Sequence, residues 1–289
     1  MNIDLHIHSL YSDGSDDVES IVKKSKALQL DLIALTDHNT LSGLFDLKKY
    51  ASLYHQNVLA GVELSTMYQD KEIHLLGYFP IDSDFQSHDF DGIRNFINQN
   101  KKMKIKQNEA MILNLKAIWN EISLTDFYHF TNSQNINRVH IAQYLVSKRY
   151  VKDINEAFEK YIGYHCPYYV KKKTIDIKQG IDAIHQAKGK AVIAHLGQYH
   201  LIQLEDFMKY CIENGVDGFE CYHPFNDEKM IDLILKYQDT MLLTAGSDYH
   251  GSNKKNNALG KNYHFIMNDH QKKIYEKTIV KTYHFFMNS

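Results

Sequence analysis

Apolar positions in the first third of the chain alternate between two periods. The runs IDLHIH, DLIALT, NVLAGVELS and KEIHLLGYF have strand length, whereas DDVESIVKKSKAL and LSGLFDLKKYASLYHQ place apolar residues at helical spacing. Acidic residues open the first of these helices, where the macrodipole favours them. Strand–helix alternation predicts a parallel sheet with helices outside, either open or closed into a barrel. From Phe90 to Ile122 the pattern becomes a long Lys/Asn/Gln-rich helical stretch in which Ile93, Phe96, Ile97, Ile105, Met111, Ile112 and Leu115 recur near the helical period. Two shorter helices are expected around VHIAQYLVSK and NEAFEKYI, before the turn-rich GYHCPYYV. Alternation then resumes through IKQGIDAIHQAKGKAVIAHLG and LEDFMKYCIENGVDGFECY to MLLTAGSDYHG, and from Gly260 onward no pattern is clear. The expected organisation is one barrel-type domain over 1–88 and 175–289, interrupted by a helical insertion at 89–174.

Composition narrows the class without choosing a function. Hydrophobic residues make up 44% of the 289 and charged residues 24%, enough for a substantial core. A formal net charge of −2 provides no global field for nucleic acid. Cys166, Cys211 and Cys221 form no C-x-x-C pair, which argues against a disulfide framework and for a reducing compartment. With no basic-then-apolar leader and no run approaching ~20 apolar residues, a cytoplasmic protein away from membranes is expected. Histidine is the outlier, at seventeen residues.

Several of those histidines stand where chemistry gathers. In DLHIHSLYSDG, His6 and His8 are two apart on a strand and share a face. Alone, the pair reads equally well as a packed strand end or as half a metal site. His38 follows the strand in LIALTDHNT, Glu63 ends VLAGVELST, and His74 lies in EIHLLGY. His195 ends AVIAHLG, and Asp248 and His250 end LLTAGSDYHG. Catalytic groups of parallel α/β folds collect at the C-terminal ends of strands. One such residue is ordinarily a cap; a set from separate strands points to one rim. A cation reconciles clustered imidazoles and carboxylates, because it binds neutral imidazole and ionised carboxylate together.

These segments resemble the successive motifs of the PHP (polymerase and histidinol phosphatase) superfamily. GVELST followed by EIHLLGY, with NRVHIAQYLV and AFEKYIG before AHLG, is similar to the TrpH/YciV-type branch of stand-alone metal-dependent phosphoesterases. The resemblance implies a distorted (β/α)7 barrel with an inserted helical subdomain over its mouth, holding two to three divalent ions. It implies His6, His8, Asp13, His38, Glu63, His74, His195, Asp248 and His250 as ligands. His6, His8, Glu63 and Asp248 would take one ion, Glu63, His74 and His195 a second, and Asp13, His38 and His250 a third. Leu196 stands where the family usually has proline.

Imidazole and carboxylate ligands suit Zn, Mn or Fe over Mg or Ca. The expected reaction is hydrolysis of a phosphate ester by water activated on the ions, with no Ser or Cys nucleophile. Glu63, Asp248 and His195, with Arg138 and His140 of the insertion, are the expected catalytic residues. Arg138, His140 and His223 are the expected substrate contacts, Arg138 through a bidentate phosphate fork; a solvated helix-end arginine and a packed loop histidine are the plainer readings. Asp4 and Asp37 would orient imidazoles or cap turns. The run Lys171, Lys172 and Lys173 reads as surface first and RNA contact second, with Tyr168 and Tyr169 beside it. The expected substrate is a nucleoside 3′,5′-bisphosphate or a short RNA end, and no long nucleic acid. Histidinol phosphatase and a non-catalytic metal-binding module are the alternatives.

Overall fold

The structure, a computed structural model, describes residues 1–131, 136–171, 173, 175–199, 203–254, 256–265 and 267–288. It divides into two compact units, Met1–Ile97 with Ile175–Ser289, and Asn98–Thr174.

The larger unit is built on one sheet. Its strands are β1 (Ile3–Ile7), β2 (Leu32–Leu35), β3 (Val58–Tyr68), β4 (Lys71–Phe79), β5 (Ile175–Asp176), β6 (Lys190–Ile193), β7 (Gly218–Tyr222) and β8 (Leu242–Ala245). The order is β1-β2-β3-β4-β6-β7-β8, with β5 beside β3. The two ends of this path approach each other, since Ile7 bridges to Tyr249 and the His8 N–H reaches the Tyr249 carbonyl at 2.9 Å. The sheet is thus a nearly closed barrel. Helices α1 (Val18–Ala27), α2 (Leu44–Tyr54), α7 (Ile177–Gln186), α8 (Leu204–Glu213), α9 (Glu228–Leu235) and α10 (Asp269–Met287) belong to the same unit. On α7, Ile177, Ile181 and Ile184 recur at i, i+4 and i+7 and are buried.

One strand departs from the parallel expectation. β4 runs antiparallel to both β3 and β6, because only Gln69 and Asp70, both at positive φ (43° and 68°), separate it from β3. Two left-handed residues make the tight turn whose twist suits a hairpin. His74 therefore lies in the first half of β4, not near its C-terminal end. Reversal of the strand returns it to the same rim: it pairs with Ser65, two residues from Glu63, so Glu63, Ser65 and His74 share a face.

The helical unit contains most of α3 (Asp91–Leu115), then α4 (Leu124–Thr131), α5 (Arg138–Ser147) and α6 (Ile154–Ala157), which continues as a π-turn over Phe158–Ile162. Its core joins Met111, Ile112, Leu115, Phe127, Ile141, Tyr144 and Leu145. The first turns of α3 belong to the barrel unit, where Ile93 and Phe96 are buried. No helix among the described residues is long and apolar enough to cross a membrane.

Candidate metal centre

Glu63 is the hub of the rim. Its fully buried carboxylate meets five imidazoles. Oε2 lies 3.2 Å from His6 Nε2, 3.1 Å from His8 Nε2 and 3.0 Å from His38 Nδ1. Oε1 lies 2.8 Å from His74 Nδ1 and 3.0 Å from His195 Nε2. Asp248 is a second hub. Its Oδ1 stands 3.3 Å from His8 Nε2, 3.6 Å from His6 Nε2 and 3.3 Å from His250 Nδ1. Asp13, on the exposed side, lies 3.2 Å from His250 Nε2 and 3.9 Å from His38 Nε2. All nine residues expected as ligands are therefore brought into one cluster.

Four overlapping sets of these residues offer donor atoms within 4.8 Å of one another: His8, Asp13, His38 and His250; His6, His8 and Asp248; His6, Glu63 and His195; His38, Glu63 and His74. The first contains the expected third set intact. His195 and His74 fall into different sets, although both touch Glu63.

The donor chemistry fits divalent cations. His6 Nε2, His8 Nε2, Glu63 Oε2, His74 Nδ1, His195 Nδ1 and His250 Nε2 are buried without a well-formed hydrogen bond. Such atoms are costly unless something else satisfies them. Two of the imidazoles are also turned so that a lone pair faces inward. Glu220 accepts the Nδ1–H of His6 at 3.0 Å, and the Asp248 carbonyl accepts that of His250 at 2.8 Å. In both rings Nδ1 keeps its proton, so Nε2 is the nitrogen that would ligate a metal.

Titration of the cluster tells the same story. Burial alone would depress every imidazole here. Against that, the adjacent carboxylates of Asp248 and Glu63 push His8 to about 9, and the Glu63 charge does the same for His74. Glu220, Glu63 and Asp248 together raise His6 well above its ordinary value. Burial prevails at His195, lowered to about 4, and lowers His38. Despite their own burial, Glu63 and Asp248 are held well below the usual carboxylate range by the surrounding imidazoles. In the metal-free protein, protons on His6, His8 and His74 thus stand in for cationic charge.

Backbone strain accompanies the site. His195 and Asp248 adopt positive φ of 28° and 53°, a conformation that costs non-glycine residues of order 1–3 kcal/mol and collects at functional positions. Gly246, two residues before Asp248, has no room for a side chain. A Cβ there would lie 2.3 Å from the His6 Cβ and 2.5 Å from Glu220 Oε1.

A profile of the PHP domain matches residues 4–285. The chain belongs to the PHP family. It is 26% identical over 254 residues to the 5′-3′ exoribonuclease Rnm of Escherichia coli, covering 86% of this chain and 84% of that one. It is 29% identical over 267 residues to a 3′,5′-nucleoside bisphosphate phosphatase of Chromobacterium violaceum, covering 90% of each. Among solved structures it resembles a candidate metal-dependent phosphoesterase of Bifidobacterium adolescentis, with TM-score 0.70, 23% identity and 96% of both chains covered. A C. violaceum protein described as an amidohydrolase, with bound sulfate and no metal, superposes with TM-score 0.71 at 24% identity, covering 97% of this chain and 96% of that one. The class is accordingly that of a PHP-family metal-dependent hydrolase of phosphate esters.

The remaining residues of this PHP chain sort as follows. Neither Asp4 nor Asp37 touches an imidazole. Asp4 accepts from Ser247 N and Oγ and from Gly260 N (2.9, 2.6 and 2.7 Å), tying down the Asp248 loop. Asp37 accepts from Ser9 N and Oγ and from Ser12 Oγ, tying down the loop after His8. His223 is fully buried; its Nδ1 accepts the Phe225 N–H at 3.0 Å, and its Nε2 lies 3.8 Å from Asp248 Oδ2. Within the helical unit, the Arg138 guanidinium lies over the rings of Tyr169 and Phe158, 5.3 and 5.7 Å from their centroids. His140 completes a capping box with Asn137 at the start of α5. Tyr168 and Tyr169 pack against the helical core, Lys171 and Lys173 are exposed, and Lys172 lies outside the described residues.

Sequence reasoning missed Glu220 and Lys254. Glu220 is fully buried, and its two oxygens serve β1 and the loop after β6: Oε1 takes His6 Nδ1–H, and Oε2 takes the backbone N–H of His195 at 2.8 Å. An acidic residue inside the apolar strand GFECY was the available signal. Lys254 donates to Asp248 Oδ2 at 2.8 Å. Glu220→Gln is expected to weaken metal binding by about 10–100-fold, the effect of losing a partner that orients a ligand imidazole. Competition with a chromogenic chelator reads this, and thermal unfolding of the metal-free variant reports any folding defect separately.

Proposed function

We propose that this chain removes phosphate from a nucleoside 3′,5′-bisphosphate or trims short RNA from its 5′ end, using divalent Zn, Mn or Fe ions. The observation that carries the reading is the ring of buried, unsatisfied imidazole nitrogens around the Glu63 carboxylate. The names of its relatives, an exoribonuclease and a nucleoside bisphosphate phosphatase, support the substrate class, as does a near-neutral net charge that disfavours long nucleic acid.

In this reading His6, His8 and Asp248 hold one ion with Glu63. Glu63 also serves His74 and His195, and Asp13, His38 and His250 hold ions on the exposed side. Bound divalent ions supply Lewis acidity, an activated water and positive charge for the phosphoryl oxygens. The chain's own groups prepare the site. Glu63 ties five imidazoles from four segments to one carboxylate. Glu220 fixes the tautomer of His6, and the Tyr199 hydroxyl, accepting the His74 backbone N–H at 2.8 Å, anchors the strand carrying His74. Because His223 Nδ1 is an acceptor for the Phe225 N–H, Nε2 carries the ring proton and is directed at Asp248 Oδ2. His223 is therefore a donor on the rim in this arrangement, and with His6 and Glu220 it also forms a further group of atoms able to hold a cation. Arg138 and His140 are assigned to the substrate, the guanidinium as a fork for phosphate.

Phosphate release is to be measured with adenosine 3′,5′-bisphosphate, short oligoribonucleotides and histidinol phosphate. Chelation is expected to abolish release and added Mn²⁺ to restore it. Preference for histidinol phosphate would replace this reading with the alternative phosphatase, and full activity after exhaustive chelation would end it. Arg138→Ala is expected to raise KM for the preferred ester by about tenfold or more, in line with the 1.5–3 kcal/mol of a hydrogen bond to a charged group.

A further inference from the structure

Phe225 is a large apolar side chain left 51% exposed on an otherwise locked loop. The loop leaves the C-terminal end of β7, the strand that brings Glu220 to the cluster. Asn226, 2% exposed, donates to the Glu220 and Cys221 carbonyls at 2.9 and 3.0 Å and accepts the Gly197 N–H at 2.8 Å. Gly197 lies directly beneath: a Cβ there would come within 2.0 Å of the Phe225 carbonyl oxygen. The Phe225 N–H is itself held by buried His223.

A single exposed phenylalanine ordinarily means nothing. Here the ring stacks on His223, with centroids 5.5 Å apart and planes at 21°. His223 in turn lies 5.2 Å from the His195 ring and 5.9 Å from the His6 ring. A series of rings thus leads from the ligand cluster to an aromatic face open to solvent and fixed in place. An aromatic held rigid at that edge of a phosphoester site gives planar rings area to cover at little cost in side-chain freedom.

We infer that Phe225 is a stacking platform for the base of a nucleoside phosphate whose phosphate sits at the cluster. The inference rests on the nucleotide reading above and deepens it. Stacking uses the π-face that every base presents, so the platform selects nucleotides over base-free sugar phosphates while tolerating different bases.

Calorimetric titration of the Mn²⁺-loaded protein with adenosine 5′-monophosphate and with ribose 5-phosphate tests this. The two ligands share a phosphate and a ribose and differ in the base. The nucleotide is expected to bind roughly 5- to 150-fold more tightly, the range for one stacked base. Phe225→Ala is expected to erase that difference, and Phe225→Trp to keep or widen it. Equal affinities in the wild-type protein, or an undiminished preference in Phe225→Ala, would overturn the platform. No turnover is read, so failure here is distinct from failure of the substrate panel: a protein may stack the nucleotide and yet cleave a different ester.

Discussion

Glu63→Ala is expected to reduce phosphate release by well over the ~100-fold that losing an outer partner of a metal ligand costs, and to leave the protein with less bound metal. Glu63 is the one carboxylate in contact with His6, His8, His38, His74 and His195. Its loss removes a donor from two of the overlapping sets of candidate ligands at once. It also takes from the raised imidazoles a carboxylate that offsets their charge: His74 loses its main counter-ion, while His6 keeps Glu220 and Asp248 and His8 keeps Asp248. Breaking a buried ion pair from one side costs about 3–5 kcal/mol, so the metal-free variant is also expected to melt earlier. Glu63→Gln separates these effects, because an amide keeps the size and one oxygen while removing the charge. Metal content by mass spectrometry, read beside the rate, is decisive. Wild-type metal content and rate in both variants would remove Glu63 from the centre.

Metal affinity is expected to rise steeply with pH between pH 6 and 8, with His8 and His74 alone contributing about 100-fold per unit. His8 and His74 are both pushed to about 9, so below that pH each carries a proton that a cation must displace. Each displaced proton strengthens apparent binding about tenfold per pH unit. The metal-free protein behaves in the opposite sense. A histidine whose pKa is raised on folding stabilises the fold fully below its ordinary value of 6.5, and that stabilisation is lost as pH rises through about 9. Glu63 and Asp248, held low, stay ionised throughout this window and add no slope. Melting temperature of the metal-free protein is therefore expected to fall from pH 6.5 to 9 while the shift caused by Mn²⁺ grows. Titration of Mn²⁺ in buffers of different ionisation enthalpy counts the protons released. An affinity flat across pH 6–8, with no protons released, would remove His8 and His74 from the ligand set.

Much of this centre was legible before any coordinates. The spacing in DLHIH places two imidazoles on one strand face, and both are buried at the cluster. His38, His195 and Asp248 each follow an apolar run, which is where a parallel sheet presents its rim; Glu63, expected at a strand end, stands midway along β3, which continues to Tyr68. β4 was misread in direction, because a two-residue turn of Gln and Asp lacks the glycine or asparagine that announces a tight hairpin. α10 went unrecognised, since only Thr278, Ile279 and Thr282 along its 19 residues are buried and the apolar stripe is correspondingly thin. Glu220 carries no motif, and its role exists only because β7 lies beside β6 and faces β1.

What the order of residues determined by itself is local: strand and helix periods, turn chemistry, and the kinds of side chain each strand end carries. These follow from short-range sterics and from the identity of nearby residues. Only the tertiary structure decided which carboxylate became the hub, which imidazoles were driven to 9 and which to 4, and that Glu220 holds His6. Those outcomes depend on distances between atoms more than a hundred residues apart in the chain. Burial and Coulomb energy act through space, and closure of the barrel sets both.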